Sequence, residues 1–376
     1  MPLSRRAMLG GAAALAAAPA IARSAIPVSP WSGKAYSRRA VALVRESLII
    51  DMLAPLKIEA TPELAARRLT QAEADEFRHS GITGFHHAFG IGGPGAREQA
   101  ITYLAAWGNF VARNSDLMTG VGSVADLVRA KAEGRVAVIM GLQNADQFHN
   151  VRDVRFFHQL GMRCAQLTYN SQNRIGSGAT DRVDGGVSDF GVEIMKAMHE
   201  VGMLIDVSHS GDRTTLDAIE LAPGPIAITH SNARALVPHP RNKTDEAIRA
   251  LAKKGGVMGI TGVRMFVRAS DPTSVADVVD HMDHVARLVG IEHVGIGTDS
   301  DLNGYDDVSP EMNRRLRGAY KESYAFREKI DVDGFDHPMK MYDLVEEMLR
   351  RRWSEASIRA VLGGNFQRLL SEVWRG

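Results

Sequence analysis

The sequence predicts an α/β fold, a single (β/α)8 TIM-like barrel with C-terminal helices. Two observations predict it: eight short apolar runs bounded by Gly, Asp, Asn or Ser, and amphipathic helical segments between most of them. Buried strands that alternate with helices are typical of a parallel sheet covered on its faces, and eight such units fit a closed barrel. A doubly wound open sheet is the alternative, but the Gly-rich phosphate loop it would bring after the first strand is absent from DMLAPLKIEA.

The pattern gives each element a place along the chain. The predicted strands are residues 47–53, 81–89, 136–143, 164–170, 203–209, 225–231, 256–263 and 293–300. Clear helical periodicity covers residues 124–134, 188–202, 244–256 and 274–290. Residues 341–374 are predicted to form helices packed on the barrel. The charged, weakly periodic stretch 302–340 is predicted to be a loop or small subdomain over the barrel mouth.

The first residues resemble an export signal. Arg5 and Arg6 precede an Ala/Gly/Leu-rich stretch, and Ala20-Ile21-Ala22 fits an A-x-A cleavage site. Paired arginines indicate the twin-arginine route, so we expect a signal peptide at 1–22, a single domain at 23–376, and a bacterial periplasmic or secreted protein. The stretch is too short and weakly apolar for a stable transmembrane helix, so no membrane anchor is expected after cleavage.

Composition excludes several classes of partner. The chain has 376 residues, 45% of them hydrophobic, with 45 Lys+Arg against 44 Asp+Glu. A net charge of +1 gives no case for binding nucleic acid or an anionic membrane surface. The single cysteine, Cys164, lies in an apolar run, which favours a buried structural thiol over a nucleophile.

Candidate metal ligands lie where predicted strands end. His209, His230 and Asp299 close the fifth, sixth and eighth runs. The active site of this fold lies at the C-terminal ends of the strands, and imidazole with carboxylate suits zinc or a similar divalent ion, Mn or Co included. Three protein ligands plus water are typical of a catalytic site.

Five sequence blocks occur in order along the chain: LTYNSQN, GMLIDVSHS, ITHSNARALVPHPRN, EHVGIGTDSDLNG and LGGNFQRLL. Together they resemble the renal or membrane dipeptidase family of barrel metallopeptidases, with Tyr169 in place of a histidine. The resemblance implies a two-zinc site in which His209 and His230 bind one zinc, while Asp299 binds the other and accepts the proton. It implies that Arg241 holds a substrate carboxylate, which a bidentate guanidinium suits, and that a homodimer is an open alternative.

The departures from the family pattern mainly affect the positions that would bind the other zinc. The positions of its histidine and aspartate on the first strand are Leu53 and Pro55, and the bridging glutamate is Gln143. Tyr169 replaces the substrate-polarising histidine, and its phenol can donate a hydrogen bond to a developing oxyanion. Alternation along the second strand aims either His86 or His87 into the barrel mouth, where an imidazole can compensate for a lost ligand.

Two functions remain open from the sequence. The first is a metal-dependent hydrolase with one divalent ion, two being the alternative, that cleaves a dipeptide or related small amide carrying a free carboxylate. The second is a divergent family member without peptidase activity, either a periplasmic tailoring enzyme or a carboxylate- or peptide-binding protein.

Overall fold

The computed structural model describes residues 29–374. The signal peptide expected at 1–22 lies outside these residues. None of the helices within them combines the length and apolarity needed to cross a membrane.

Eight parallel strands form a closed ring, which confirms the predicted barrel. In order around the ring they are β1 (Ile50–Asp51), β2 (Gly84–His87), β4 (Val136–Leu142), β5 (Met162–Gln166), β6 (Leu204–Asp206), β7 (Ala227–Ser231), β8 (Val257–Ile260) and β9 (Val294–Ile296). Pairing of Asp51 with Ile296 joins the first strand to the last, which rules out the open sheet. Each strand of the ring coincides with one of the eight predicted runs, and only β5 extends beyond its run, by two residues at its start.

A ninth strand, β3 (Met118–Gly120), was not predicted. It pairs with Val136–Val138 at the start of β4 and takes no place in the ring. Three residues are too few to give a period that a sequence pattern can reveal.

Helices surround the ring. They are α1 (Arg38–Glu46), α2 (Pro62–Ala66), α3 (Gln71–Ser80), α4 (Ala96–Arg113), α5 (Val124–Ala132), α6 (Val151–Gln159), α7 (Asp189–Val201), α8 (Asp212–Leu221), α9 (Asp245–Lys253), α10 (Arg264–Val267), α11 (Val275–Val289), α12 (Pro310–Gly318), α13 (Lys340–Arg350), α14 (Glu355–Arg359) and α15 (Asn365–Val373). The four helical segments predicted from periodicity correspond to α5, α7, α9 and α11.

Local sequence determines where several helices begin. Thr70, Ser123 and Asn150 each cap a helix whose third residue, an Asp or Glu, bonds back to the cap backbone. This reciprocal arrangement satisfies backbone N–H groups that a helix start leaves without partners.

The two ends of the barrel differ. Apolar side chains of α15, Phe366 among them, pack with the inward residues Ile50, Ala137 and Val257 and close one end. At the other end, residues 302–340 contain α12 and a short 3-10 helix, Glu322–Tyr324, and border a cavity at the strand termini. Polar side chains after β6, β7 and β9 gather at this open end.

Candidate functional site

His209 and His230 meet at the C-terminal ends of neighbouring strands. His230 lies in β7 and His209 three residues after β6, and both side chains are buried. Their Nε2 atoms are 3.0 Å apart. Burial, reinforced by the charge of Arg241, lowers the pKa of both imidazoles well below the usual range, so both rings are neutral at pH 7.

The partners of the two Nδ1 atoms determine the tautomers. His209 Nδ1 lies 2.6 Å from Oδ1 of Asn170, which accepts, so Nδ1 carries the proton. His230 Nδ1 lies 2.8 Å from Thr229 Oγ1, whose own proton is donated to Asp206 at 2.7 Å. Nδ1 of His230 is therefore also a donor. Each ring is left with a lone pair on Nε2, and the two lone pairs converge.

Converging lone pairs in a buried site fit a shared cation. Two nitrogens about 2.0–2.1 Å from one tetrahedral zinc lie about 3.3 Å apart, close to the observed separation. The bonds to Asn170 and Thr229 are the kind that orient metal-binding imidazoles. Across residues 29–374, however, no three His, Cys, Asp or Glu side chains form one group that could hold a metal ion. Among the described residues the histidine pair therefore has no third such side chain grouped with it, and the role of Asp299 as a ligand stays a prediction.

Asp299 borders the cavity. It adopts φ 58°, its N–H donates to the Leu53 carbonyl at 2.8 Å, and its carboxyl bonds to Tyr305. Burial raises the pKa of Asp299 to about 7, against the opposing charge of Arg241. Both protonation states are accessible near neutral pH, which suits a group that accepts and returns a proton.

Arg241 is fully buried and faces backbone. Its Nη1 donates to the Ser208 carbonyl and its Nη2 to the His230 carbonyl at 3.4 Å, while Nε has no partner among the described residues. Its guanidinium therefore ties together the segments that carry the two histidines.

Tyrosines separate the histidines from the cavity. The Tyr169 ring stacks on His209 with centroids 4.3 Å apart, and its hydroxyl lies 2.6 Å from that of Tyr320, which stacks on Tyr324. Tyr169 and Tyr320 both border the cavity, whose volume is about 600 Å³. This size lies in the range of small-molecule sites.

The second strand sends one histidine inward and one outward. Nδ1 of His86 lies 2.9 Å from the Met52 carbonyl, and its buried Nε2 faces Gly141 of β4. His87 packs against Trp107 and accepts from Leu56 N–H at 3.0 Å. Burial lowers the pKa of His87 to about 3. His86 is the inward residue, but it completes no metal group within the described chain.

The positions that depart from the family pattern hold other contacts. Leu53 is buried, and Pro55 borders the cavity. Gln143 also borders it, donates from Nε2 to the Ala88 carbonyl at 3.0 Å, and has no partner for its Oε1 among residues 29–374. None of the three supplies an anionic ligand. Cys164 is buried with its pKa raised by burial, as the sequence predicted for a structural thiol.

Sequence reasoning missed several residues of the site. Asn170 and Thr229 orient the histidines, while Tyr305 and Tyr320 come from the stretch after β9. Asn170 and Thr229 each stand beside a named residue, Tyr169 and His230, so proximity was a usable signal. Tyr305 and Tyr320 lie in a segment without periodicity, so the sequence gave no signal for them.

A closed parallel barrel with paired histidines and an acid at its C-terminal strand ends has the layout of barrel metallohydrolases. The profile of the membrane dipeptidase family, Peptidase family M19, matches residues 37–315. The chain belongs to this family.

Similar proteins agree with this assignment. Dipeptidase verJ from Clonostachys rogersoniana is 29% identical over 70% of this chain, and the match spans 62% of that protein. A crystal structure of an amidohydrolase from Pseudomonas aeruginosa is 30% identical, with a TM-score of 0.78 over 89% of this chain and 99% of the other. A metallopeptidase from Rhodobacter sphaeroides, liganded with a phosphinate mimic of L-Ala-D-Ala, is 19% identical, with a TM-score of 0.71 over 88% and 100% of the two chains. At that identity the likeness concerns the fold alone. The match spans less than two thirds of the length of the curated relative Dipeptidase verJ, and also of Dipeptidase tcpJ from Claviceps purpurea.

Proposed function

We propose that this protein is a metal-dependent hydrolase of small peptide-like amides. One observation carries the proposal: the Nε2 atoms of His209 and His230 lie 3.0 Å apart, each with a free lone pair. Zinc suits two imidazoles, with manganese or cobalt as substitutes. We expect one ion, because Leu53, Pro55 and Gln143 offer no anionic ligand for a second.

The residues around the pair have separable tasks. His209 and His230 would hold a divalent ion, which would supply Lewis acidity at the strand ends. Asp299 accepts a proton and returns it to the leaving amine. The Tyr169 hydroxyl, exchanging its bond to Tyr320 for the substrate, donates to the developing oxyanion. Arg241 holds the backbone that positions both histidines, and its unpartnered Nε is available to a substrate carboxylate.

The substrate class follows from the cavity and the relatives. The cavity at the strand ends is large enough for a small peptide-like molecule. A dipeptide mimic bound to the Rhodobacter sphaeroides metallopeptidase, which shares the fold, supports a peptide-like substrate. A dipeptide or related amide with a free carboxylate is therefore the first class to assay.

Metal content and turnover test the proposal together. Elemental mass spectrometry of the purified protein should find about one equivalent, lost in His209→Ala/His230→Ala, while a dipeptide panel is cleaved by the parent and not by Asp299→Asn. Two equivalents would mean that another residue rebuilds the second site. No metal after growth with zinc, and no cleavage, would overturn the proposal.

A second candidate is a family member that binds peptide-like acids without hydrolysing them. The observation that supports this candidate is that Tyr169 and Tyr320 lie between the histidines and the cavity. Binding of a dipeptide without cleavage, with zinc, manganese or cobalt present, would favour this candidate.

Export and assembly are further parts of the proposal. Arg5–Arg6 and the Ala20-Ile21-Ala22 site support a periplasmic or secreted mature protein. N-terminal sequencing of protein from the periplasmic fraction tests this, and a start near Arg23 is expected. A homodimer rests on family resemblance, and light scattering of the mature protein tests it.

A further inference from the structure

His209 lies in a buried turn that directly follows β6, residues 207–210, which we call the histidine turn. Buried carbonyl groups outside helices and strands must find hydrogen-bond donors elsewhere. In this turn each of the four carbonyls has one. The carbonyl of His209 accepts from Ala179 N–H at 2.8 Å, and that of Ser208 accepts from Arg241.

The other two carbonyls of the histidine turn converge on the side chain of Lys243. Its Nζ donates to the carbonyl of Val207 at 2.7 Å, to that of Ser210 at 2.8 Å, and to Thr215 Oγ1 at 3.0 Å. The Thr215 hydroxyl gives its own proton to the Ser210 carbonyl, so its oxygen accepts from Lys243. Three acceptors require three protons on Nζ, which is the ammonium form.

Lys243 is buried as deeply as the turn that it holds. The residue is 1% exposed, and burial, with the charge of Arg241, lowers the pKa of Lys243 to about 7. A buried charge is stable only where hydrogen-bond partners replace the water that it has lost. Two carbonyls and a hydroxyl oxygen do so here, and hydrogen bonds from a charged donor are stronger than bonds between neutral groups.

The backbone of Lys243 is tied to the segment that follows His230. The N–H of Lys243 donates to the Asn232 carbonyl at 2.8 Å, and its carbonyl accepts from Arg234 N–H at 2.9 Å. Lys243 therefore connects the end of β7, which carries His230, with the turn that carries His209.

We propose that Lys243 is a positioning residue for the histidine pair, because its ammonium fixes the histidine turn to the end of β7 and so sets the direction of the His209 lone pair. The proposal rests on the proposed function, since it concerns the same metal ion. Loss of the ammonium takes a donor from the carbonyls of Val207 and Ser210, and the turn then shifts to find another. Such a shift misdirects one imidazole and weakens metal binding without removing a ligand.

Zinc affinity tests the proposal without hydrolysis. Equilibrium dialysis at pH 6, where most of Lys243 is protonated, compares the parent with Lys243→Met, whose apolar side chain keeps most of the volume. We expect the affinity to fall by about 10- to 100-fold, the usual effect of losing a group that orients a metal-binding imidazole.

Asn365→Leu is the matched control at the closed end of the barrel. Asn365 is also buried, and its Nδ2 donates to the carbonyls of Ile291 and Val294 at 2.7 and 2.8 Å, so this variant likewise removes two bonds to backbone carbonyls. Urea unfolding should show a loss of stability in both variants, while only Lys243→Met loses zinc affinity. A merely structural role of Lys243 would leave both variants with the same zinc affinity.

Chemical rescue provides a second test, which does not depend on Lys243→Met. Lys243→Ala removes a propylammonium group beyond Cβ, and added n-propylammonium can occupy that space and donate the same three hydrogen bonds. We expect it to raise the zinc affinity of Lys243→Ala towards that of the parent. Uncharged n-propanol, with one O–H donor, should not.

The outcomes separate this proposal from the proposed function. Equal zinc affinity in the parent and Lys243→Met, an equal loss in Asn365→Leu, or no rescue by propylammonium would overturn the positioning role and leave the hydrolase intact. Zinc binding that depends on Lys243 as described, in a protein that cleaves no dipeptide, would uphold the positioning role and overturn the hydrolase. A parent protein that binds no zinc would overturn both.

Discussion

Asn170 orients His209 through one hydrogen bond of 2.6 Å, from an unusual backbone conformation with φ 57°. Asn170→Gly keeps that conformation accessible and removes the acceptor. We expect zinc affinity to fall by about 10- to 100-fold, the usual effect of losing a partner that orients a metal-binding imidazole. Competition with a chelating dye measures it.

Two controls accompany this variant. Asn170→Asp keeps an acceptor for Nδ1 and should restore affinity to within a few fold, while Gln172→Ala, at an exposed site of the same loop, should change nothing. Equal affinity in Asn170→Gly and the parent would show that the Asn170 bond does not hold the ring for a metal.

His281 links stability to pH. Its Nδ1 accepts from Ala233 N–H at 3.1 Å and its Nε2–H lies 3.0 Å from the Val267 carbonyl. Burial lowers the pKa of His281 to about 4 from 6.5. Between these values the unfolded state binds a proton that the folded state does not. The free energy of unfolding contributed by this group is thus fully present above about pH 6.5 and is lost as pH falls towards 4.

Urea unfolding at pH 7, 6 and 5 tests this linkage. His281→Gln should reduce the pH slope of the unfolding free energy by up to about 1.4 kcal/mol per pH unit, even though the variant is less stable at pH 7. His79→Gln, at an exposed histidine, is the matched control. An unchanged slope in His281→Gln would contradict the prediction.

At the scale of elements, β2 and β4 meet through a histidine and a glycine. A Cβ on Gly141 would overlap both Nε2 of His86 and the backbone oxygen of Cys164, whereas a Cβ on Gly120 in β3 would meet nothing within 4 Å. We expect Gly141→Ala to destabilise the protein by about 1–3 kcal/mol. Gly120→Ala should change the unfolding free energy by less than about 1 kcal/mol.

Chemical denaturation of the two glycine variants compares them directly. Gly141→Ala together with His86→Ala should recover part of the loss, because the side chain that overlaps is then gone, although the backbone oxygen remains. If Gly141→Ala and Gly120→Ala are equally stable, the approach of His86 to β4 does not constrain the strand.

Elements with strong local signals were predictable from the sequence, and contacts between distant segments were not. The eight apolar runs give the eight strands of the ring because each strand is buried on both faces. At the site, His209 and His230 lie side by side, while the role of Asp299 as a ligand stays a prediction. The position of Asp299 depends on β1 and Tyr305, which no local pattern records. Tyr320 follows Tyr169 by about 150 residues in the sequence, and only the fold brings these two tyrosines together above the histidines.

At the scale of the whole molecule, closure of the ring makes the two ends of the chain depend on each other. β1 pairs with β9, and α15 packs its apolar face into the barrel end that both strands form. Phe366 is fully buried there, and its ring lies where a side chain on Gly295 of β9 would be. The last helix is therefore expected to stabilise the barrel as one cooperative unit.

Phe366→Ala tests this dependence. Removal of the ring leaves a cavity in the closed end, and we expect a loss of about 3–5 kcal/mol in the unfolding free energy. Phe156→Ala, at a partly exposed phenylalanine of α6, is the matched control and should lose less than about 1 kcal/mol. Because the end helix and the ring share one core, far-UV circular dichroism and tryptophan fluorescence should shift together in urea. A fluorescence transition that precedes the loss of secondary structure in Phe366→Ala would mean that α15 detaches from a barrel that is stable without it.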